Sequence, residues 1–227
     1  MLRDLISLIF PRICAACGNS LWKNEVVLCT SCNYNLPKTG FHLEDDNPVS
    51  RLFWGRVNIE GAGAFLCFNK GGKVQGLIHQ LKYKGRRDIG NYLGYRYGHV
   101  LLESPLYRSV NYIVPVPLHR KKQSRRGYNQ SEQIAIGLSD SMNIPVDILT
   151  LQRIKATETQ TRKSRIRRWE NVKEIFSVTD PDRLKNQHIL LVDDVITTGA
   201  TLESCIITLS SIQGCRISVA ALATALI

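Results

Sequence analysis

The run ILLVDDVITTGAT at residues 189–201 constrains this chain more than any other segment. Residues 189–192 are continuously apolar, as in a parallel strand buried on both faces. Asp193 and Asp194 follow where that strand is expected to end. A loop of small residues then opens a helix from about Ala200, with Leu202, Ile206, Leu209 and Ile212 on one face and Gly214 as its C-terminal cap. Ligands of open α/β sheets sit outside the carboxyl ends of the strands. Successive amides from Thr197, Thr198, Gly199, Ala200 and Thr201 can turn inward onto a phosphate, helped by the partial positive charge of the helix N-terminus. Two carboxylates beside an anion site would repel a phosphate. They make sense if they hold vicinal ribose hydroxyls, with Mg²⁺ nearby.

The rest of the chain alternates in keeping with an α/β fold. Val74, Leu77, Ile78 and Leu81 follow i, i+3, i+4, i+7 and predict a helix that Gly85 ends. Ile89, Leu93, Tyr97, Val100 and Leu101 continue the period up to Pro105. Residues 112–116 predict a strand leaving into a proline-bounded loop. Asn129 or Ser131 caps a helix carrying Ile134 and Leu138. Residues 216–227 predict a last strand. Residues 41–56 lack a period and serve as linker or first strand.

Cys14 and Cys17, then Cys29 and Cys32, form two CxxC pairs with eleven residues between them. Tetrahedral zinc needs four soft ligands at one point, and each CxxC turn supplies two. Gly18 allows the left-handed turn that aims amides at the sulfurs. With four cysteines there is no open position, so the predicted zinc is structural. It would stabilise a module of some fifty residues that cannot bury much core. Seven cysteines is an odd count, and Cys67, Cys205 and Cys215 have apolar neighbours. Both facts suit a reducing cytoplasm rather than a disulfide framework. Residues 2–10 have helical spacing but are too short for a signal core or a membrane span. They read as a docking helix, with no membrane insertion. The expected domains are residues 1–50, a docking helix plus zinc module, and residues 51–227.

A net charge of +11 points to an anionic partner, and its distribution is uneven. Residues 1–50 hold four basic and five acidic residues. Arg120, Lys121, Lys122, Arg125 and Arg126 cluster without an acid, and residues 153–173 hold eight basic residues against Glu158 and Glu170. Tyr83, Tyr128 and Trp169 lie near this charge and could stack on bases or pack internally.

Residues 189–201 resemble the phosphoribosyl pyrophosphate (PRPP) signature of type I phosphoribosyltransferases. VPVPLH at 114–119, RGYNQ at 126–130, LKY at 81–83, and Gln160, Arg168, Asn171 and Phe176 at their mutual spacing narrow this. With the four-cysteine module, they resemble the ComF family of bacterial phosphoribosyltransferase-like proteins associated with natural competence. The resemblance covers essentially the whole chain. It implies a mostly parallel sheet flanked by helices, with a small N-terminal zinc module. It implies that Asp193 and Asp194 contact ribose hydroxyls and that Thr197, Thr198, Gly199, Ala200 and Thr201 wrap the 5-phosphate. Pro117, Leu118, His119 and Arg120, with Arg126, would face the pyrophosphate, although His119 could equally cap its loop. Gln160, Arg168 and Asn171 would belong to a mobile hood.

Three functions stay open at this stage. One is transfer of a phosphoribosyl group from PRPP, with Mg²⁺, to an acceptor for which the sequence offers no reader. Another is a competence factor that binds single-stranded DNA on the basic surface and uses the PRPP or nucleotide site for regulation. The third is a regulator or scaffold that kept the fold and lost the chemistry, with a protein of the competence machinery as partner.

Overall fold

The computed structural model describes residues 11–154 and 175–225. Its centre is a four-stranded, wholly parallel sheet in the order β1-β6-β5-β2: β1 (Gly61–Cys67), β2 (Tyr112–Pro115), β5 (His188–Ile196) and β6 (Arg216–Thr224). Because side chains alternate across a strand, β5 feeds two cores. Leu190 and Val192 join one with Leu93, Ile134 and Leu138, while Ile189 and Leu191 join the other with Cys205, Ile206 and Leu209. Burial on both faces explains why β5 is continuously apolar.

One face is covered by α2 (Lys73–Tyr83), α3 (Arg87–Leu101) and α5 (Gln130–Met142). The residues whose spacing predicts α2, namely Val74, Leu77, Ile78 and Leu81, are its buried ones. Asn129 caps α5, its side chain accepting from the Ser131 amide, which settles the choice between the two. Helices α3 and α5 touch backbone to backbone. A Cβ on Gly94 would collide with the Ile134 carbonyl, and one on Gly137 with the backbone of Asn91. This contact fixes α5, whose N-terminus reaches the carboxyl end of the sheet. The opposite face is covered by α6 (Ala200–Leu209). Gly214 is not its cap: the helix stops at Leu209, Ser210 caps it, and tight turns carry the chain through Ile212 to Gly214 before β6.

Residues 41–56 contain no strand. They form two short 3₁₀ turns, Phe41–Leu43 and Ser50–Phe53, pinned by the Asn47 amide, which donates to the Phe41, Glu44 and Ala62 carbonyls. The first strand is β1, GAGAFLC, which is buried almost throughout yet too rich in glycine and alanine to show a hydrophobic period. Between β2 and α5 lies α4 (Arg120–Arg126). An antiparallel pair, β3 (Leu151–Arg153) with β4 (Phe176–Val178), stands apart from the main sheet. Near the N-terminus, α1 (Thr30–Tyr34) and its flanks bury Cys14, Val27, Leu28, Cys32 and Leu36 in the same cluster as Val74 and Leu77 of α2. Gln80 Nε2 donates to the Ala15 carbonyl at 2.7 Å. The expected docking helix at residues 2–10 lies outside the described residues. Among the described residues, no helix is long and apolar enough to cross a membrane.

Candidate phosphoribosyl site and cysteine cluster

The acids lie within β5 and not after it. Parallel pairing with β6 continues past them, Asp193 opposite Ala221, Val195 opposite Ala223 and Ile196 opposite Thr224. Backbone ladders are indifferent to side-chain polarity, and the small residues of β6 crowd nothing. On the other side β5 loses its neighbour: β2 ends at Pro115 opposite Val192, and the chain turns away at Pro117. Asp193 and Asp194 therefore border a notch between a continuing strand and a departing one, the kind of crevice in which open α/β sheets take ligands.

Each acid is held differently. Asp193 Oδ1 accepts from Ser131 Oγ at 3.1 Å and from the Asp194 amide at 2.8 Å. Asp194 Oδ1 pairs with Lys82 Nζ at 2.9 Å. Burial, and then the charge of Asp194, push the Asp193 carboxyl up to about 7. The nearby Arg153 guanidinium is pulled down by burial against the opposing influence of Cys205 and Asp193.

Beyond the acids, Thr197 and Thr198 are exposed and Gly199 has a left-handed φ of 73°, where a side chain would be strained. A Cβ there would also press on Leu52 at 3.4 Å. Gly199 starts α6 without a side chain to cap it; the Ala200 amide donates to Thr198 Oγ1 at 3.5 Å, and the amides that follow from Thr201 are the anion donors of this helix start. Glu203 in its first turn is clamped by Arg56, which ties the helix start to the segment after the second 3₁₀ turn.

Pro117, Leu118 and His119 line the exit from β2 half-buried. The loop is shorter than the sequence suggests, because Arg120 already belongs to α4, with His119 as its N-cap. His119 Nδ1 accepts from the Lys121 amide at 3.2 Å, which realises the capping alternative. Arg126, at the far end of α4, donates to Gln130 Oε1 at 2.6 Å and lies 5.2 Å over the Tyr83 ring. Tyr128 is buried, its hydroxyl donating to the Leu81 carbonyl, so it packs rather than stacks on bases. Gln160, Arg168, Trp169 and Asn171 lie outside the described residues. The β3–β4 pair flanks that segment. Lys82, Ser131 and Arg153 were not singled out by sequence reasoning as partners of the acids. The available signal is the LKY string, which contains Lys82, and the RGYNQ string, which Ser131 directly follows.

The four cysteines converge. Their sulfurs lie within 4.8 Å of one another, and Cys17 and Cys29 Sγ are 3.8 Å apart. Zinc–sulfur bonds of about 2.3 Å at tetrahedral angles put ligand sulfurs about 3.8 Å apart, so the donor set fits that ion. The amides of Cys29 and Cys32 point at Cys14 and Cys29 Sγ at 3.2 and 3.4 Å. Burial pushes the Cys14 thiol up, but the amides of Cys29, Cys17 and Ala16 outweigh it and bring it to about 7. Cys32 is pushed up to about 12 by burial and neighbouring thiols. A metal among them would favour the thiolate form at all four sulfurs.

Residues 121–226 match the phosphoribosyl transferase domain family. The DNA utilization protein YhgH of Escherichia coli K12 is 31% identical over 84% of this chain and 80% of its own. Competence protein F of Haemophilus influenzae is 42% identical over 40% of each chain, and competence protein ComFC of Bacillus subtilis 27% identical over 55% of this chain and 48% of its own. The chain belongs to the ComF family. The parallel sheet of a phosphoribosyltransferase-type domain and an N-terminal four-cysteine cluster are both present here. Among solved structures, the Bacillus subtilis glutamine PRPP amidotransferase overlays on 63% of this chain and 30% of its own at 19% identity, with a TM-score of 0.44.

Proposed function

We propose that the notch beside β5 binds PRPP, and that the protein uses this ligand in the uptake or processing of DNA; its relatives are named for DNA utilization and competence. The observation that carries the reading is the pairing of Asp193 and Asp194, fixed at the open side of β5, with the uncapped amino end of α6 a few residues on. In this reading the two acids accept from the ribose hydroxyls. Thr197, Thr198, Gly199, Ala200 and Thr201 wrap the 5-phosphate. Pro117, Leu118, His119, Arg120 and Arg126 face the pyrophosphate, and Gln160, Arg168 and Asn171 close over it. Asp193 and Asp194 would be the protein groups nearest a Mg²⁺ brought in with the ligand. Bound there, it would supply positive charge for the leaving pyrophosphate. The protein's share is orientation, positive potential and exclusion of water. Zinc occupies the four-cysteine cluster as a structural ion, and residues 1–50 and 51–227 are the two functional units.

A second reading is supported by α4. Arg120, Lys121, Lys122 and Arg125 are all exposed on one short helix without an acid, a surface suited to a single-stranded DNA backbone. The protein would then be a binding factor that senses PRPP or a nucleotide.

Calorimetry with PRPP and Mg²⁺ tests the first reading. Wild type should bind, and Asp194→Asn should lose about 1.5–3 kcal/mol, the worth of one charge-assisted hydrogen bond. Equal affinity in both would overturn the assignment. Pyrophosphate release across bases, nucleotides and DNA then separates a transferase from a sensor.

A further inference from the structure

We infer that Lys82 lets this site tell a pyrophosphate-bearing ribose from ribose 5-phosphate. In the free protein its ammonium is engaged by Asp194. The ligand's pyrophosphate draws it away while the ribose hydroxyls take the carboxylate. The inference rests on the PRPP reading above and assigns a specificity-determining residue to it.

The two acids differ in how easily they change partner. Asp193 is fixed by a backbone amide and by Ser131. Among the described residues Asp194 is engaged by the flexible Lys82 ammonium, and the side chains of Lys82 and Asp194 are 23% and 12% exposed, so the pair is within reach of a ligand. A lysine ammonium has three donors on a four-carbon stem and turns readily from one oxyanion to another.

The stem is rooted on the pyrophosphate side. Leu81, just before it, accepts from the Tyr128 hydroxyl. Tyr83, just after it, carries the Arg126 guanidinium at 5.2 Å. Arg87 lies 4.7 Å over Tyr128 and donates to the Gly127 carbonyl at 3.0 Å. The end of α2 and residues 126–130 thus form one locked unit, and Lys82 extends from it to the ribose acid. Arg126 Nε, in the same unit, is buried without an acceptor among the described residues. A ribose without pyrophosphate must compete with Lys82 for Asp194. A ribose with pyrophosphate gives the ammonium somewhere else to go, so the two halves of the ligand assist each other.

The test is calorimetry of the full chain with three probes: PRPP, ribose 5-phosphate and inorganic pyrophosphate. Lys82→Met keeps the aliphatic stem and should weaken PRPP and pyrophosphate alike, by roughly 10- to 100-fold. It should leave ribose 5-phosphate bound at least as well as in wild type. Lys82→Arg should recover most of the preference for PRPP. A Lys82→Met variant that loses all three probes equally, or keeps wild-type affinity for PRPP, overturns the role of Lys82. Wild type that binds none of them overturns the reading of the site as well.

Discussion

Asp193→Asn should stabilise the free protein at neutral and alkaline pH while it weakens the binding of ligand. The carboxyl stands at about 7 in the fold against an ordinary 3.8. Between those two pH values the unfolded chain has released a proton that the folded chain keeps. Stability therefore falls as pH rises through that window and levels off above it. At about 1.4 kcal/mol per pH unit the full penalty at pH 8 is about 4 kcal/mol, and solvent access at the open notch brings it to about 2 kcal/mol. The asparagine keeps both local hydrogen bonds, since Ser131 Oγ and the Asp194 amide both donate to Oδ1, and it cannot ionise. Urea unfolding at pH 5 and pH 8 measures the effect directly. The variant should gain clearly over wild type at pH 8 and much less at pH 5. A variant less stable than wild type at pH 8, or a difference that ignores pH, would show that Asp193 is not held against its charge.

Untagged protein should carry about one zinc per chain. Cys17→Ser should release the metal and lower Tm, and an unchanged Tm on metal removal would refute a structural ion. If α4 meets single-stranded DNA, replacing Lys121, Lys122 and Arg125 by alanine should flatten the log–log salt slope by about 2, at roughly 0.7 per phosphate, with PRPP affinity unchanged. Salt-insensitive or absent DNA binding in wild type would leave α4 as a solvated face.

What was legible in the sequence is what local physics dictates. Burial on two faces forces the continuous run that marks β5, and the helical period of α2 picks out the residues it buries. Thiolate pairs at CxxC spacing converge because each tight turn supplies two ligands. What stayed hidden depends on partners distant in the chain. Strand β1 is buried by its neighbours without a pattern of its own, since glycine and alanine carry no period. The true end of α6 is set by turns through Ile212, which remains buried outside the helix and so imitates one more helical turn.

The pairing of Lys82 with Asp194 shows the limit most clearly. One residue ends a surface helix and the other lies 112 positions later in a central strand, and nothing local links them. Their meeting follows from the fold. The sheet order puts β5 beside the short strand β2, and β2 stops early, which opens the notch. The glycines between α3 and α5 draw those helices together until their backbones touch, and that contact delivers Ser131 to Asp193. Tyr128, two residues upstream of α5, carries the constraint on to Leu81 and hence to Lys82. A change deep between α3 and α5 would thus displace both side chains, Ser131 and Lys82, that hold the acids. The acids and the small-residue loop after them can be read as a string, but the groups that position the acids are set by helix packing on the face of the sheet behind them.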